Sequence, residues 1–178
     1  MAHLWRKSAV MKAALVGYSG ATPRPADFPD PVAGEGETLV RVLAAPVENF
    51  DRLSVAGTHY GSRSIYPAFP AVAGTGGVGV APDGNMVLFR GLRPPHGAFA
   101  EVTVARFVTP VPRDVDPVMA AAVAAPVLTS LLPLKYAAAL KPGETVWING
   151  ATGVTGRLAT GVARALGAAR VVATGRDA

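Results

Sequence analysis

The pattern of apolar and polar positions predicts a β-rich first part of the chain. Apolar, β-branched runs at residues 11–18 and 38–45 predict strands, and the Pro-, Gly- and Asp-rich segment between them predicts a loop. Residues 51–55 predict a short helix. Further short strands, with a hairpin turn at Asp83-Gly84, are predicted at residues 78–80, 86–89, 97–104 and 107–108. Many short strands separated by turn signals are typical of a barrel-like domain.

The pattern then changes to an Ala-rich segment that predicts helix. Asp116 and Pro117 suit the N-cap and the first position of that helix. We expect Pro126 to end the helix, and residues 127–140 to form a second one. The chain is therefore predicted to consist of two domains, residues 1–115 and residues 116–178.

Residues 144–178 predict a strand, a glycine-rich turn, a helix and a second strand. The two strands, both expected to be buried, are predicted at residues 145–149 and 170–174. Between them, three glycines recur at every third residue: Gly150, Gly153 and Gly156. An apolar stripe expected to face a sheet is formed by Leu158, Val162 and Leu166. This order is that of the first half of a Rossmann unit, so the predicted fold class is α/β with a β-rich part.

The glycine-rich turn predicts a diphosphate-binding site. The first N–H groups of a helix have no partner inside it, and the helix dipole places partial positive charge there. Glycine removes the side chains that would keep a pyrophosphate away. The residues predicted to contact the cofactor are Gly150, Ala151, Thr152, Gly153, Val154, Thr155 and Gly156. The alternative is a tight structural turn without a ligand.

Arg176 lies where a Rossmann fold selects its cofactor, roughly 20 residues beyond the glycines. Gly175 leaves space there, and a guanidinium group suits a 2′-phosphate. The sequence therefore predicts NADPH rather than NADH. Two alternatives are left open: Arg176 as an exposed loop residue, and Asp177 as an acceptor for the ribose hydroxyls of NAD.

Composition excludes several classes of function. Half of the 178 residues are hydrophobic, which is enough for a sizeable core. The net charge of +5 comes from scattered Lys and Arg rather than from a stripe, so no nucleic-acid partner is expected. The absence of cysteine excludes disulfides, thiolate catalysis and cysteine-ligated zinc.

The distribution of apolar residues also bears on location. No apolar run looks long enough to span a bilayer, so no membrane partner is expected. Lys12 interrupts the apolar stretch that a signal peptide needs, and the cytoplasm is the default location. The first ten residues can be interpreted as an extension ahead of an alternative start at Met11.

Five motifs, taken in chain order, are shared with a known family. They are MKAALV at 11–16, AGTHYG at 56–61, GTGGVG at 74–79, HGAFAEVTV at 96–104 and LKPGETVWINGATGVTGRLA at 140–159. Together they resemble the medium-chain dehydrogenase/reductase superfamily, and within it the zinc-independent quinone oxidoreductase branch. The resemblance implies a GroES-like barrel domain followed by the start of a Rossmann domain, with the substrate in the cleft between them.

The resemblance also implies an activity. It is the transfer of hydride from NADPH to a quinone, an enone or a related carbonyl compound. The expected partner is therefore a small-molecule substrate, and a full-length protein is expected to be a homodimer.

The resemblance further implies roles for single residues. Tyr60 matches a substrate-cleft tyrosine that would stabilise an oxyanion, the alternative being a packed ring with its hydroxyl in water. Asn49 lies one residue from the family's Asn-Pro element, and Glu48 is the alternative for that place. Thr129 matches a residue that faces the nicotinamide, or else it bonds its own helix backbone. His59 is a further candidate proton donor, or an exposed loop histidine.

The chain departs from the zinc-dependent relatives in two respects. It has no cysteine, and GTG at 74–76 replaces their Gly-His-Glu element. Its histidines are not spaced as metal ligands are; they are His3, His59 and His96. No metal is therefore expected. A further departure is Val154, which puts a side chain near the diphosphate approach where the family usually has a second glycine.

The length is the largest departure. The chain stops just past the second predicted Rossmann strand, so we expect a truncated Rossmann domain and weak binding of the cofactor by this chain alone. Two other functions are left open. One is a non-catalytic GroES-like binding or assembly module with a vestigial nucleotide-binding unit. The other is an NADP-binding epimerase or sensor of the short-chain type, in which GATGVTG also occurs.

Overall fold

A computed structural model describes residues 10–176 of the chain. The predictions about His3 and Asp177, and most of the proposed N-terminal extension, lie outside these residues. Contacts divide the chain into two compact units, Met1–Ala121 and Ala122–Ala178. The predicted domain boundary after residue 115 stays a prediction.

The first unit consists of short strands and two short helices. The strands are β1 (Val10–Val16), β2 (Arg24–Pro29), β3 (Thr38–Ala44), β4 (Ala71–Val72), β5 (Gly76–Val80), β6 (Met86–Leu92) and β7 (Val102–Pro110). The helices α1 (Asn49–Val55) and α2 (Ser62–Ile65) follow β3. β3, β5, β6 and β7 close into an antiparallel barrel, and β2, β1 and β4 form a separate sheet in that order. The predicted barrel-like domain is confirmed.

Two apolar clusters fill this unit, because alternate residues of each strand point inward. The barrel interior contains Val40, Val87 and Phe89. The second cluster brings Val16 of β1 together with Val55 of α1, Tyr66, Ala71 and Ala73. It fixes the segment that follows α2, and this segment contributes to the candidate site below.

The rest of the chain contains the predicted strand–helix–strand unit. Its elements are α3 (Pro117–Leu132), a π-helical segment (Pro133–Ala137), β8 (Thr145–Asn149), α4 (Val154–Ala165) and β9 (Arg170–Thr174). β8 and β9 are parallel, and α4 packs on one face of the pair. The Asp116 side chain accepts a hydrogen bond from the Met119 N–H at 2.8 Å, as expected of an N-cap. The predicted α/β fold class with a β-rich part is confirmed.

Two strand predictions were wrong. β2 lies in the segment predicted to be a loop, and its Pro25 and Pro29 are tolerated because β2 is an edge strand. The strand predicted at 97–104 begins only at Val102, and it continues without a break through the one predicted at 107–108 as a single strand, β7. Its first half pairs with β3 and its second half with β6, so tertiary pairing keeps the whole segment extended.

The prediction that Pro126 ends a helix was also wrong. Helix α3 continues through Pro126 to Leu132. A proline inside a helix removes one N–H donor and crowds the preceding turn, which can bend a helix without ending it. The neighbouring Ala and Leu residues have high helix propensity and favour continuation.

The buried face of α4 differs from the predicted stripe by one position. Ala159 and Ala163 pack against Ile148, whereas Leu158 and Val162 are half-buried. The two strands are also less buried than predicted, since Trp147 of β8 is 70% exposed. Small alanines therefore face the strands, and they allow α4 to approach the sheet closely.

One helix meets the length and composition criteria for a membrane span. It runs from Pro117 to Ala137, so the prediction that no apolar run is long enough was wrong. The prediction treated the segment as two helices, whereas the helix is continuous. The core helix of a soluble protein meets the same criteria, so this property alone does not identify a membrane protein.

Glu37, just before β3, forms a part-buried ion pair with Arg93, whose side chain is 38% exposed. The side chain of Glu37 is 5% exposed and accepts hydrogen bonds from Arg93 Nε at 2.9 and 3.0 Å. The Gly34 N–H donates to the same carboxylate at 2.9 Å. The Gly34 hydrogen bond, followed by that of Arg93, lowers the pKa of Glu37 below its ordinary value of 4.5.

We expect Glu37→Gln to change the pH dependence of stability. Because folding lowers the pKa of Glu37, the ionised carboxylate stabilises the fold above about pH 4.5, and this contribution is lost as the pH falls below that value. The variant should melt at a lower temperature than the wild type at pH 7, and the difference should shrink toward pH 3. Thermal melts across this range measure it. Glu35→Gln, with the same charge change at an exposed position, is the control. A Glu37→Gln difference that stays constant with pH would contradict the assignment.

Candidate functional site

The glycine-rich turn between β8 and α4 is held by the end of β9. Gly150 has a φ of +77°, a left-handed conformation that favours glycine. The N–H groups of Gly150 and Ala151 both donate to the Thr174 carbonyl, at 2.8 and 2.9 Å. These two bonds fix the turn against the last residue of β9.

The start of α4 keeps its first amide groups free. Gly153 is the N-cap and has no side chain to cap the helix. The backbone N–H of Arg157 donates to the Gly153 carbonyl at 2.9 Å, and this is the first hydrogen bond of the helix. Within residues 10–176, the N–H groups of Val154, Thr155 and Gly156 have no acceptor. Together with the helix dipole, they form a site suited to a phosphate.

Gly156 allows α4 to approach the turn. A Cβ at this position would lie 2.3 Å from the Gly150 carbonyl oxygen and 2.7 Å from Ala151 Cα. Both neighbours are backbone atoms, so they cannot move aside cheaply. Any larger residue would push the helix start away from the turn.

Arg176 lies just beyond the end of β9, next to the glycine-rich turn. A Cβ built on Gly175 would lie 2.6 Å from Thr152 Cγ2, so the end of β9 lies next to the turn. The Arg176 side chain is exposed. The predicted cofactor residues 150–156 and Arg176 are therefore brought to one end of the β8–β9 pair, and their cofactor role stays a prediction.

Ser130 ties α3 to the first turn of α4. It is 4% exposed, and its Oγ lies 2.9 Å from the Pro126 carbonyl oxygen and 3.1 Å from the Thr155 carbonyl oxygen, so its one hydrogen is shared between these two acceptors. The neighbouring Thr129 is exposed, and its hydroxyl donates to the Pro126 carbonyl at 2.9 Å. Thr129 thus makes the backbone bond of its alternative interpretation, and its predicted role at the nicotinamide stays a prediction.

A second candidate site is a cavity of about 270 Å³ within the first unit. Apolar side chains form most of its wall: Phe50, Ile65, Val72, Leu92 and Pro95. The residues of the wall with polar side chains are Ser64, Tyr66, Thr75 and His96. A mostly apolar cavity with a few polar groups is the usual form of a small-molecule site, and this volume is at the small end of the range.

Two residues of the cavity lining, Tyr66 and His96, each have a side-chain polar atom that is buried away from solvent. Tyr66 is 7% exposed, and the hydrogen of its hydroxyl has no acceptor among the described residues. Burial raises the pKa of Tyr66, a hydrogen bond from the Gly74 N–H opposes the rise, and the Asp51 charge adds a smaller increase. His96 Nδ1 is likewise buried without a partner. Burial, aided by Arg93 and opposed by Glu37, lowers the pKa of His96, so the ring is neutral at pH 7.

Asp51 connects α1 to the cavity wall. It is 4% exposed and accepts hydrogen bonds from the Glu48 N–H at 2.9 Å and the Thr75 hydroxyl at 2.8 Å. Burial, and then the Asp51 charge, raises the pKa of Glu48. Asn49 is exposed at the first position of α1, and its Oδ1 accepts from Arg52 at 3.4 Å. Asn49 is absent from the cavity lining, and its predicted catalytic role stays a prediction.

Tyr60 lies on the surface of the first unit. It is 97% exposed, and the centroid of its ring lies 4.2 Å from the centroid of the His59 ring. His59 Nδ1 accepts a hydrogen bond from the Gly61 N–H at 3.0 Å, and its ring packs edge-on against Phe50. Tyr60 does not line the cavity. Its predicted role as oxyanion donor therefore stays untested.

The histidines and carboxylates do not gather into a metal site. Within the described residues, no group of three or more His, Asp or Glu side chains has metal-binding geometry. Metal-independent chemistry remains the expectation from the sequence.

Comparison with known proteins identifies relatives of the chain. No family model matches the chain. The quinone oxidoreductase of Sus scrofa is 30% identical over 148 residues, which cover 79% of this chain and 45% of that protein. The structure of the Thermus thermophilus quinone oxidoreductase, also solved with NADPH, matches with a TM-score of 0.79 and 33% identity over 93% of this chain and 53% of the other. In sequence and fold the chain is similar to the quinone oxidoreductase-like branch of the medium-chain dehydrogenase/reductase superfamily.

A further relative supports the same placement. A probable oxidoreductase from Mycobacterium abscessus matches with a TM-score of 0.77 and 28% identity, over 92% of this chain and 55% of the other. The chain thus spans about half the length of the relatives that it matches. The predicted family is confirmed.

Within this family framework, sequence reasoning missed Tyr66, Asp51 and Ser130. Tyr66 follows no motif, and its burial depends on contacts with α1 and β4 that a linear pattern does not contain. The sequence did contain a signal for Asp51, because an acidic residue three positions after Glu48 is suited to cap a short helix. Ser130 had none, because its partner Thr155 is far away in sequence.

We expect Gly156→Ala to weaken cofactor binding and to lower stability. The new Cβ would clash with the turn backbone and displace the free amides of α4, so the Kd for NADPH should rise at least about tenfold and the melting temperature should fall. Calorimetry and thermal melts of the full encoded protein measure both effects.

Gly161→Ala is the matched control, because it makes the same change in the same helix. A Cβ at Gly161 has no atom within 4 Å. Since alanine has the higher helix propensity, this variant should be more stable by up to about 1 kcal/mol and should bind NADPH normally. If both variants behave alike, the close approach at Gly156 does not matter for the site.

Proposed function

We propose that the protein is an oxidoreductase that uses NADPH to reduce a quinone, an enone or a related carbonyl compound without a metal. The observation that carries this proposal is the free start of α4 beside the turn that Gly156 allows, within a chain of the quinone oxidoreductase-like branch. The names of the relatives support the reaction class, since they include a quinone oxidoreductase solved with NADPH.

The chain's own residues would hold the cofactor by its diphosphate. The free N–H groups of Val154, Thr155 and Gly156 are donors for phosphate oxygens. NADPH, when bound, supplies a hydride, that is, two electrons and one proton. The protein contributes position and electrostatics rather than covalent chemistry. Ser130 would serve as a positioning residue, since its bond to Thr155 fixes the first turn of α4.

The acceptor would be a small neutral molecule. Hydride transfer to a carbonyl or quinone develops negative charge on oxygen, and a hydrogen-bond donor at that oxygen lowers the barrier. A second proton, taken from solvent, completes the reduced product. Tyr60, with Asn49, is the donor proposed from the resemblance, and solvent reaches Tyr60 freely.

The wider setting of the enzyme is proposed on the same basis. We propose a cytoplasmic protein that acts as a homodimer and binds neither nucleic acid nor membrane. The scattered basic charge favours an anionic cofactor over a nucleic acid. Fractionation of cells that produce the full encoded protein tests the location, and a protein in the membrane fraction would contradict it.

Turnover gives the direct test of the reaction. The full encoded protein should oxidise NADPH, followed at 340 nm, when a quinone such as 1,4-naphthoquinone is present, and EDTA should have no effect. Loss of activity with EDTA, restored by zinc, would contradict the metal-free mechanism. No turnover with quinones or enones would contradict the reaction class.

We expect Arg176→Ala to discriminate between the cofactors. Removing a charge-assisted hydrogen bond to the 2′-phosphate should raise the KM for NADPH roughly 10- to 100-fold, whereas the KM for NADH should change less than about twofold. Arg164→Ala, the same change at an exposed position in the last turn of α4, is the control. Equal effects of Arg176→Ala on both cofactors would show that Arg176 does not select between them.

A further inference from the structure

Three side chains form a chain of hydrogen bonds at the surface of the β8–β9 pair. Trp147 Nε1 donates to the Thr174 hydroxyl at 3.0 Å, and this hydroxyl donates to Asn149 Oδ1 at 3.2 Å. An indole N–H only donates and a hydroxyl has one hydrogen, so the chain runs in one direction and ends at the Asn149 amide. None of the three belongs to the apolar cluster under α4. The chain therefore restrains side chains that the core does not hold.

Asn149 precedes Gly150, and this pair of residues has a reactivity of its own. The Gly150 nitrogen can attack Cγ of Asn149: an N–Cγ bond forms, the Cγ–Nδ2 bond breaks, and ammonia leaves with the hydrogen of the Gly150 nitrogen. Water then opens the cyclic imide to aspartate or isoaspartate, without any oxidation or reduction. Glycine favours the attack because it has no Cβ to obstruct the nitrogen. Of the three asparagines in the sequence, only Asn149 is followed by glycine.

Thr174 holds both reacting groups apart in the folded protein. Its carbonyl accepts the Gly150 N–H at 2.8 Å, and its hydroxyl holds the Asn149 amide. Asn149 is also paired with Thr174 in the parallel ladder, which keeps its backbone extended. Ring closure requires the amide to leave the hydroxyl and the Gly150 N–H to leave the carbonyl. Water is not what limits the reaction, because Asn149 and Gly150 are both exposed.

We propose that Asn149 is a site of deamidation, that the Thr174 hydroxyl restrains the reaction, and that the product weakens the diphosphate site. The last part rests on the proposed function. Aspartate places a negative charge directly before the turn, next to a helix start that favours anions. Isoaspartate also lengthens the main chain at the turn, which displaces the N–H groups that Thr174 holds.

The rate of deamidation is the first test. The full encoded protein is incubated in mildly alkaline buffer, and peptide mass spectrometry follows the conversion of Asn149. Thr174→Val keeps the β-branched shape and loses the hydroxyl, so the rate should rise roughly 3- to 10-fold, as expected for one lost hydrogen bond. Thr174→Ser keeps the hydroxyl and should react within about twofold of the wild type. Asn85, which is exposed and precedes Met86, is the internal reference for conversion during digestion.

Two controls separate the hydroxyl from a general loosening of the strands. Trp147→Phe changes the same face but leaves the Thr174–Asn149 bond, so its rate should stay within about twofold of the wild type. In denaturant all variants should react at one faster rate, because the restraint is absent there. The role of the hydroxyl is overturned if folded Thr174→Val reacts no faster than the wild type, if Trp147→Phe or Thr174→Ser matches Thr174→Val, or if the difference persists in denaturant.

The effect on the cofactor has a separate readout. Asn149→Asp creates the product directly, and the Kd for NADPH should rise about 3- to 10-fold at low salt and less at high salt. Asn85→Asp makes the same charge change in the first unit and should leave the Kd unchanged. Equal affinity of Asn149→Asp and the wild type would overturn the effect on the site. If the wild type does not bind NADPH, the proposed function fails, whereas the deamidation rates still decide the role of Thr174.

Discussion

The close approach of α4 to the glycine-rich turn is the constraint on which the β8–α4–β9 unit depends. The helix can start next to the Gly150 carbonyl because Gly156 has no side chain. The same turn is held to β9 by two amide bonds to one carbonyl, that of Thr174. The turn therefore holds the end of β9 and the start of α4 together. The free amide groups at the start of α4 follow from this geometry. Ser130 extends the unit to α3 through one buried hydroxyl.

The two units place their free hydrogen-bonding groups differently. In the β8–α4–β9 unit the free groups are backbone amides at a helix start, which favour an anion whatever the side chains are. In the first unit they are side-chain atoms of Tyr66 and His96, which are buried away from solvent in two residues that line a mostly apolar cavity. A mostly apolar lining favours a neutral molecule with few polar atoms. A reaction between an anionic cofactor and a neutral carbonyl compound needs both kinds of environment.

The parts of the fold that were predictable are those with local signals. β8, α4 and β9 have matching apolar runs, a glycine-rich turn and a glycine stop, and all three were predicted correctly. β2 has two prolines, and only its place at a sheet edge makes it a strand. The path of α3 through Pro126 likewise depends on how strongly its neighbours favour helix. Where a local signal and its tertiary surroundings disagree, the surroundings decide.

The same division separates Tyr60 from Tyr66 in the candidate site. Tyr60 was found because it lies in a motif, and a motif reports a position in the chain rather than its environment. Tyr66 has no motif, but the packing of β1, α1 and the segment before β4 buries it and leaves its hydroxyl without an acceptor. Recognition of a carbonyl oxygen depends on desolvation as much as on residue type. For this reason the environment of each phenol, which the sequence does not contain, decides what its hydroxyl can do.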